Sequence, residues 1–358
     1  MEGVDQILQR EIDDRKSPSV QYYFFDKENI VKHFCAGLAN IRDNQPASIS
    51  TSYHAFSVTK TFTALAVLQL TEKGWINLDD LISLHLCDFP NGNKITIRQV
   101  LTHSAGLPNP MPLNWIHLVE EDKHFDRNSF FDEVFAKHKN LKSAPNEKFA
   151  YSNLGYVLLG RLIERISGTT YESYIEENIL ARLNLNKNEL GFEIAGMENF
   201  ATGYQKSLTL INFLLGMFLN KSKFMDSAVN GWKPFKPFYI NGTSYGGLIG
   251  AAGSFVKYIQ ELLNPNSKLI SAEYKAMLFQ ENRNSRGENT GMCLSWFTGQ
   301  LNGEQYFCHA GGGGGYYCEI RIYPGIKMGS VIFFNRTGMR DERFLDKVDN
   351  LALQSFHR

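Results

Sequence analysis

Strand-like alternation sits only near the two ends of this chain, and that distribution narrows its possible folds more than any other feature. Ser19 to Ile41 alternates apolar and polar residues around Asp26-Lys27-Glu28-Asn29, which predicts a β-hairpin. Strand signals then vanish until Met292 to Leu301, Gln305 to His309, Tyr316 to Tyr323 and Met328 to Asn335. The intervening sequence carries helical periodicity: a run from Ser57 ending at Gly74, then segments near 97–102, 129–139, 154–167 and 171–183. Val4, Ile7, Leu8 and Ile12 predict an opening helix, and 341–356 a closing one. Strands that are remote in sequence must find each other, so the simplest assembly is one antiparallel sheet drawn from both termini with a helical region inserted between them. The fold class predicted is therefore α/β of the α+β type. We expect residues 1–56 and 245–358 to form the sheet region and residues 57–244 the helical region, as one catalytic unit with its site between them. No repeat, low-complexity tract or Pro/Gly/Ser linker interrupts the chain.

At 358 residues there is ample chain for a large buried core. Lys plus Arg and Asp plus Glu both number 37, so no overall field draws nucleic acid or an anionic membrane, and ligands are to be sought in a local site. The five cysteines are odd in number and lack C-x-x-C spacing, which predicts scattered thiols rather than a zinc or redox centre. The opening residues, MEGVDQILQREIDDRK, have no apolar core of the signal-peptide type, so a cytoplasmic location is expected if Met1 is the natural start. The most apolar stretch, Leu208 to Leu219, falls short of the roughly 20 residues a spanning helix needs, and is expected to pack over the site or into a subunit contact.

Three short motifs carry chemistry. Ser57 and Lys60 lie three apart at the start of the strongest helical run, so they share a face and the amine can reach the hydroxyl. Their neighbours Phe56, Val58, Phe62 and Leu65 are apolar, and an ammonium among them loses hydration and acidifies. An amine able to shed its proton can take one from a serine. Tyr151-Ser152-Asn153 precedes a second helical run, placing a phenol and an amide at a loop-to-helix junction. His309-Ala310-Gly311, followed by Gly312 to Gly315, ends a strand with an edge free of side chains, where a substrate backbone could lie and backbone N–H groups could face a carbonyl. Singly, each has a plain structural explanation: a lysine that keeps its head in water, a capped helix, a glycine turn.

In this order, S-x-x-K, then Y-x-N, then H-x-G resembles the penicillin-recognising serine enzymes. The branch it is similar to holds class C β-lactamases, D-alanyl-D-alanine carboxypeptidases, D-aminopeptidases and related esterases. FSVTKTFTALAVLQLTEKGWINLDD, ITIRQVLTHSAGLP, FAYSNLGYVLLGRLIERISGTTYESYI and YGGLIGAAGSFVKYIQELL each look like a family segment, over Ala55 to Asn335. The resemblance implies a five-stranded antiparallel sheet of β-lactamase/transpeptidase type, flanked by helices. It implies Ser57 as nucleophile, Lys60 as its proton partner and Tyr151 as the phenol of the acid/base pair. Asn153, His309, Ala310 and Gly311 would bind substrate, and the N–H groups of Ser57 and Gly312 would form the oxyanion hole. A small-molecule or peptide acyl substrate is implied, with no metal and no cofactor. His103, in LTHSAGLP, belongs to a recurring family turn and is expected to be structural. Histidine in place of the lysine of most β-lactamases leaves catalysis intact but argues against efficient β-lactam hydrolysis. Two rivals remain: a catalytically silent binding protein that retains the fold, and an α/β-hydrolase using Ser244 of Gly242-Thr243-Ser244-Tyr245-Gly246. The second lacks both a helix starting at the serine and a parallel-sheet pattern.

Overall fold

The computed structural model describes residues 3–111, 114–207, 220–337 and 343–356. A seven-stranded antiparallel sheet forms its centre. The strands are β1 (Ser19–Asp26), β2 (Ile30–Asn40), β3 (Gln45–Pro46), β4 (Phe297–Leu301), β5 (Glu304–Gly313), β6 (Tyr316–Tyr323) and β7 (Met328–Phe334). Their order is β4-β5-β6-β7-β1-β2-β3, so the two ends of the chain meet where β1 pairs with β7, Tyr23 opposite Val331. The mixed α/β class stands, but the expected five strands become seven. The sheet grows at its edges. Strand signals in the sequence already covered six; the seventh, β3, is two residues long, and so short a strand has no period to read.

Alternation in the strands covers both faces. From β1, Tyr23 and Phe25 point into the larger core, while Val20, Tyr22 and Phe24 point into the smaller one. The smaller core is closed by α1 (Val4–Asp13) and the C-terminal helix Leu345–Phe356, through Leu8, Leu345, Val348 and Leu353. The larger core is roofed by Ala252–Leu263, whose Phe255 packs 5.0 Å from Phe333, and by the helical region beyond. Each such aromatic, removed from water, contributes about 1.5–3 kcal/mol.

At the centre of the helical region lies α2 (Thr59–Glu72), in which every residue from Thr59 to Thr71 is buried. A helix apolar on all sides belongs inside a protein. Several of its polar groups find partners on neighbouring elements: Thr63 Oγ1 donates to the Ser244 carbonyl at 2.6 Å, and the Gln69 Nε2 donates to the Leu269 carbonyl at 2.9 Å. The predicted helix near 171–183 is subdivided into an α turn, a π turn over Glu176–Leu180 and a 3-10 turn. No helix among the described residues is long and apolar enough to cross a membrane. Leu208 to Leu219 lies outside the described residues.

Candidate active site

Ser57 does not sit in α2 itself. It occupies a 3-10 turn, Phe56–Val58, entered through Phe56 at φ 45°, a left-handed conformation that costs a bulky residue of order 1–3 kcal/mol. Two more non-glycine residues near the site share that region, His103 at φ 52° and Ser295 at φ 70°. The Ser57 turn feeds directly into the N-terminus of a 14-residue helix, whose dipole favours negative charge there.

Lys60 Nζ and Ser57 Oγ are hydrogen-bonded at 3.0 Å, and the Tyr151 hydroxyl donates to the same Oγ at 2.9 Å. Lys60 Nζ also donates to the Tyr245 carbonyl at 2.7 Å. Lys60 has no exposed surface, and burial holds its pKa well below the usual lysine value. Three tyrosine rings, Tyr151, Tyr156 and Tyr245, lie 5.1 to 5.6 Å from the amine and return part of that cost. Both hydrogen-bond partners are neutral, so neither supplies the opposite charge that would hold the proton on, and desolvation wins. Burial likewise pushes the Tyr151 hydroxyl up, keeping it a neutral donor. The cluster thus joins a hydroxyl, an amine that can be deprotonated and a phenol, the groups a proton shuttle at Ser57 needs.

The Tyr151 segment is brought in by the helix Asn153–Ser167. Ser152 is its N-cap: the Oγ accepts from the Gly155 N–H at 3.1 Å and donates to the Pro108 carbonyl at 2.8 Å. Asn153, the first helical residue, keeps Oδ1 buried with no protein partner.

On the opposite wall, β5 brings its glycines against the Ser57 turn. A Cβ added at Gly311 would lie 2.2 Å from the Ala55 carbonyl oxygen and 3.0 Å from Ser57 N, and both neighbours are backbone. At Gly312, which is exposed, the nearest atom would be 3.4 Å away. Gly311→Ala is therefore expected to slow acylation of Ser57 by tenfold or more, with about 1–3 kcal/mol of overpacking strain, while Gly312→Ala changes it far less. Labelling rates with a fluorophosphonate measure both, and equal rates for the two variants contradict this packing.

His309 is part of that wall: it lines the cavity, though it has no solvent-exposed surface. Its Nδ1 contacts the Ser295 carbonyl, an acceptor only, so the ring proton is on Nδ1 and Nε2 carries a lone pair with no protein partner. Burial, with the nearby Lys60, pushes the pKa of His309 down to about 3. The imidazole is neutral throughout the physiological range. Ala310 beside it adds no hydroxyl.

Tyr151 and the His309–Gly313 stretch of β5 border a cavity of about 630 Å³, walled also by Phe149, Phe297, Tyr316 and Tyr317, and by Thr337 and Arg343. The sequence reading did not single these out, because their motifs are local to no one segment. It also missed Tyr245, whose carbonyl holds Lys60. The G-x-S-x-G match lies there, but Ser244 is buried, its Oγ only 2.4 Å from where a Cβ on Gly160 would be. That match reflects tight packing of Thr243–Gly246 on the helix Asn153–Ser167 and the delivery of a carbonyl to Lys60. Among the described residues, no three or more His, Cys, Asp or Glu gather as a metal site. All five cysteines are free.

A family model described as Beta-lactamase matches residues 4–354. The chain is 26% identical over 296 residues to "Penicillin-binding protein 4*" of Bacillus subtilis (strain 168), an alignment that covers 80% of this chain and 61% of that relative. It therefore spans less than two thirds of that protein's length. Among solved structures, the octameric penicillin-binding protein homologue from Pyrococcus abyssi superposes with a TM-score of 0.78 at 25% identity, covering 98% of this chain and 77% of the other. D-amino acid amidase from Ochrobactrum anthropi SV3 gives 0.79 at 18% identity, covering 99% and 98%. The latter likeness is one of fold.

Proposed function

The chain belongs to the Beta-lactamase family, and we propose that it is a serine hydrolase whose Ser57 forms a covalent acyl-enzyme with esters and small amides, D-amino-acid amides included. The observation that carries this reading is the convergence of Lys60 Nζ and the Tyr151 hydroxyl on Ser57 Oγ at 3.0 and 2.9 Å. Ser57 Oγ attacks the acyl carbonyl as its proton passes to the Lys60–Tyr151 pair. The oxyanion forms at the N-terminal end of α2, against the glycine edge of β5, where the N–H groups of Ser57 and Gly312 donate to it. Tyr151 returns a proton to the departing alcohol or amine. Water then cleaves the acyl ester, giving its proton to the same pair, and Ser57 regains its own. Asn153 holds the substrate amide. The sheet region of residues 1–56 and 245–358 and the helical region of residues 57–244 act as one catalytic unit.

His309 directs the choice of substrate. A neutral imidazole presenting a lone pair, beside Ala310, offers a substrate carboxylate neither charge nor donor. This favours acyl donors that end in a neutral group over peptides with a free C-terminus and over β-lactams. The test compares a matched acid and ester across pH. For a charged histidine, KM of the acid alone would climb up to about tenfold per pH unit above a pKa near 6.5, as imidazolium loses its proton. With His309 already neutral, the acid-to-ester KM ratio is expected to stay constant from about pH 5 to 8. A ratio that rises through that window overturns the neutral-histidine reading, and absence of turnover on esters and amides alike overturns the hydrolase.

A further inference from the structure

We propose that His103 is a positioning residue for Tyr151, holding the phenol at the distance from Ser57 that proton transfer requires. The inference rests on the reading of Tyr151 as a proton-transfer group.

One residue grips three consecutive ones. The His103 carbonyl accepts from the Ala150 N–H at 2.7 Å, and His103 Nδ1 accepts from the Ser152 N–H at 3.1 Å. Between those anchors, the imidazole lies against the Tyr151 ring, with centroids 4.2 Å apart and planes 31° apart. The turn bearing His103 is itself latched to the segment ahead of Tyr151. Ser104 and Gly106 carbonyls accept from the Asn146 and Lys142 N–H groups, each at 2.7 Å. Gly106, at φ 72°, comes so close to Ser143 that an added Cβ would lie 2.3 Å from its carbonyl oxygen.

The chemistry explains the residue type. An amide N–H only donates, so Nδ1 must hold a lone pair and the proton sits on Nε2. The position also demands φ 52°, which histidine and asparagine tolerate better than most residues. Leucine or phenylalanine supplies no acceptor. Glutamine carries its carbonyl one bond too far. Burial drives the His103 pKa well below its usual value, and the nearby Lys60 adds to this, so the acceptor persists at neutral pH. A phenol at the end of a long side chain magnifies any backbone rotation, and a shift of about 1 Å at the reacting group can cost on the order of a hundredfold in rate. An ordinary core histidine would affect stability and leave the chemical step alone, and this separates the two roles.

The test uses the full chain, p-nitrophenyl acetate and thermal melting as a control for folding. His103→Phe keeps a ring against Tyr151 but removes the acceptor. It is expected to lower the acylation rate about fiftyfold or more with KM within about twofold. His103→Asn keeps an acceptor at the δ position and tolerates the backbone, and is expected to recover the rate to within about fivefold of wild type. In a Tyr151→Phe background, His103→Phe should cost less than about twofold more, since nothing is left to position. A loss that persists undiminished in that background overturns the proposal, as does a folded His103→Phe with wild-type acylation. Should His103→Phe fail to fold, His103→Asn decides: a folded His103→Asn slowed fiftyfold overturns it. If wild type and Ser57→Ala release nitrophenol alike, it is the reading of Ser57 and Tyr151 that falls, and the His103 variants are not what refuted it.

Discussion

Incubated with a penicillin or a fluorophosphonate, the full chain is expected to gain a single adduct on Ser57, and Ser57→Ala none. The expectation comes from local geometry. Phe56 is held at φ 45°, and the 3-10 turn it opens leaves Ser57 half-buried beside the cavity-lining Tyr151, while the following helix is buried from Thr59 to Thr71. Ser57 Oγ has two hydrogen-bond partners able to exchange protons with it. Ser244, the other serine in a nucleophile-like motif, is buried against Gly160 and its carbonyl serves Thr63. Removing a nucleophile from such a unit lowers turnover by on the order of 10⁴ to 10⁶. Intact-mass measurement followed by peptide mapping reads the result. An adduct on Ser244, or labelling that survives Ser57→Ala, removes Ser57 from the mechanism. A chain that takes no adduct from either reagent and turns over no ester is a silent binder.

Lys60 and Tyr151 are expected to fail together. General acid–base groups are worth about 10²–10⁴-fold each, so independent actors would lose the product of the two effects when both are removed. Here both contact one oxygen, and a proton taken by either has the same source. Lys60→Ala and Tyr151→Phe should each cut kcat by about a hundredfold to a thousandfold, and the double variant should lose little beyond the worse single one. Losses that multiply would show two separate roles. Lys60→Met gives the complementary reading. It fills similar space without a buried polar head, so the melting temperature should hold or rise while activity disappears, because the amine costs stability where it sits. Lys60→Arg should also be inactive, since a guanidinium does not surrender its proton in a protein.

Much of this was visible in the chain because it depends on short-range periodicity. The three-residue spacing of Ser57 and Lys60 places them on one side of a turn whatever surrounds them. Strand alternation at both ends foretold a sheet closed by pairing the N-terminal hairpin with the C-terminal strands, as β1 and β7 do. The edge strand Gln45–Pro46 was hidden, because two residues display no period and pair only because β2 offers its open edge. The split of the helix near 171–183 was hidden too, since 3.6-residue spacing does not distinguish an α turn from the π turn over Glu176–Leu180.

By itself, then, the sequence determined the family, the mixed α/β class and most strands of the antiparallel sheet, since backbone propensity and side-chain type are properties of short segments. Tertiary structure alone decided the protonation states and partners of the site residues. His309 reads as a titrating group near pH 6.5 in water, and becomes a neutral acceptor only because β5 is buried and the Ser295 carbonyl meets its Nδ1. Lys60 is held by the Tyr245 carbonyl, 185 residues away, and the Tyr151 segment by His103, whose partner Ser152 is 49 residues along. A pKa or a hydrogen bond is set by what lies within a few ångströms, and for these groups that neighbourhood comes from parts of the chain that meet only when it folds.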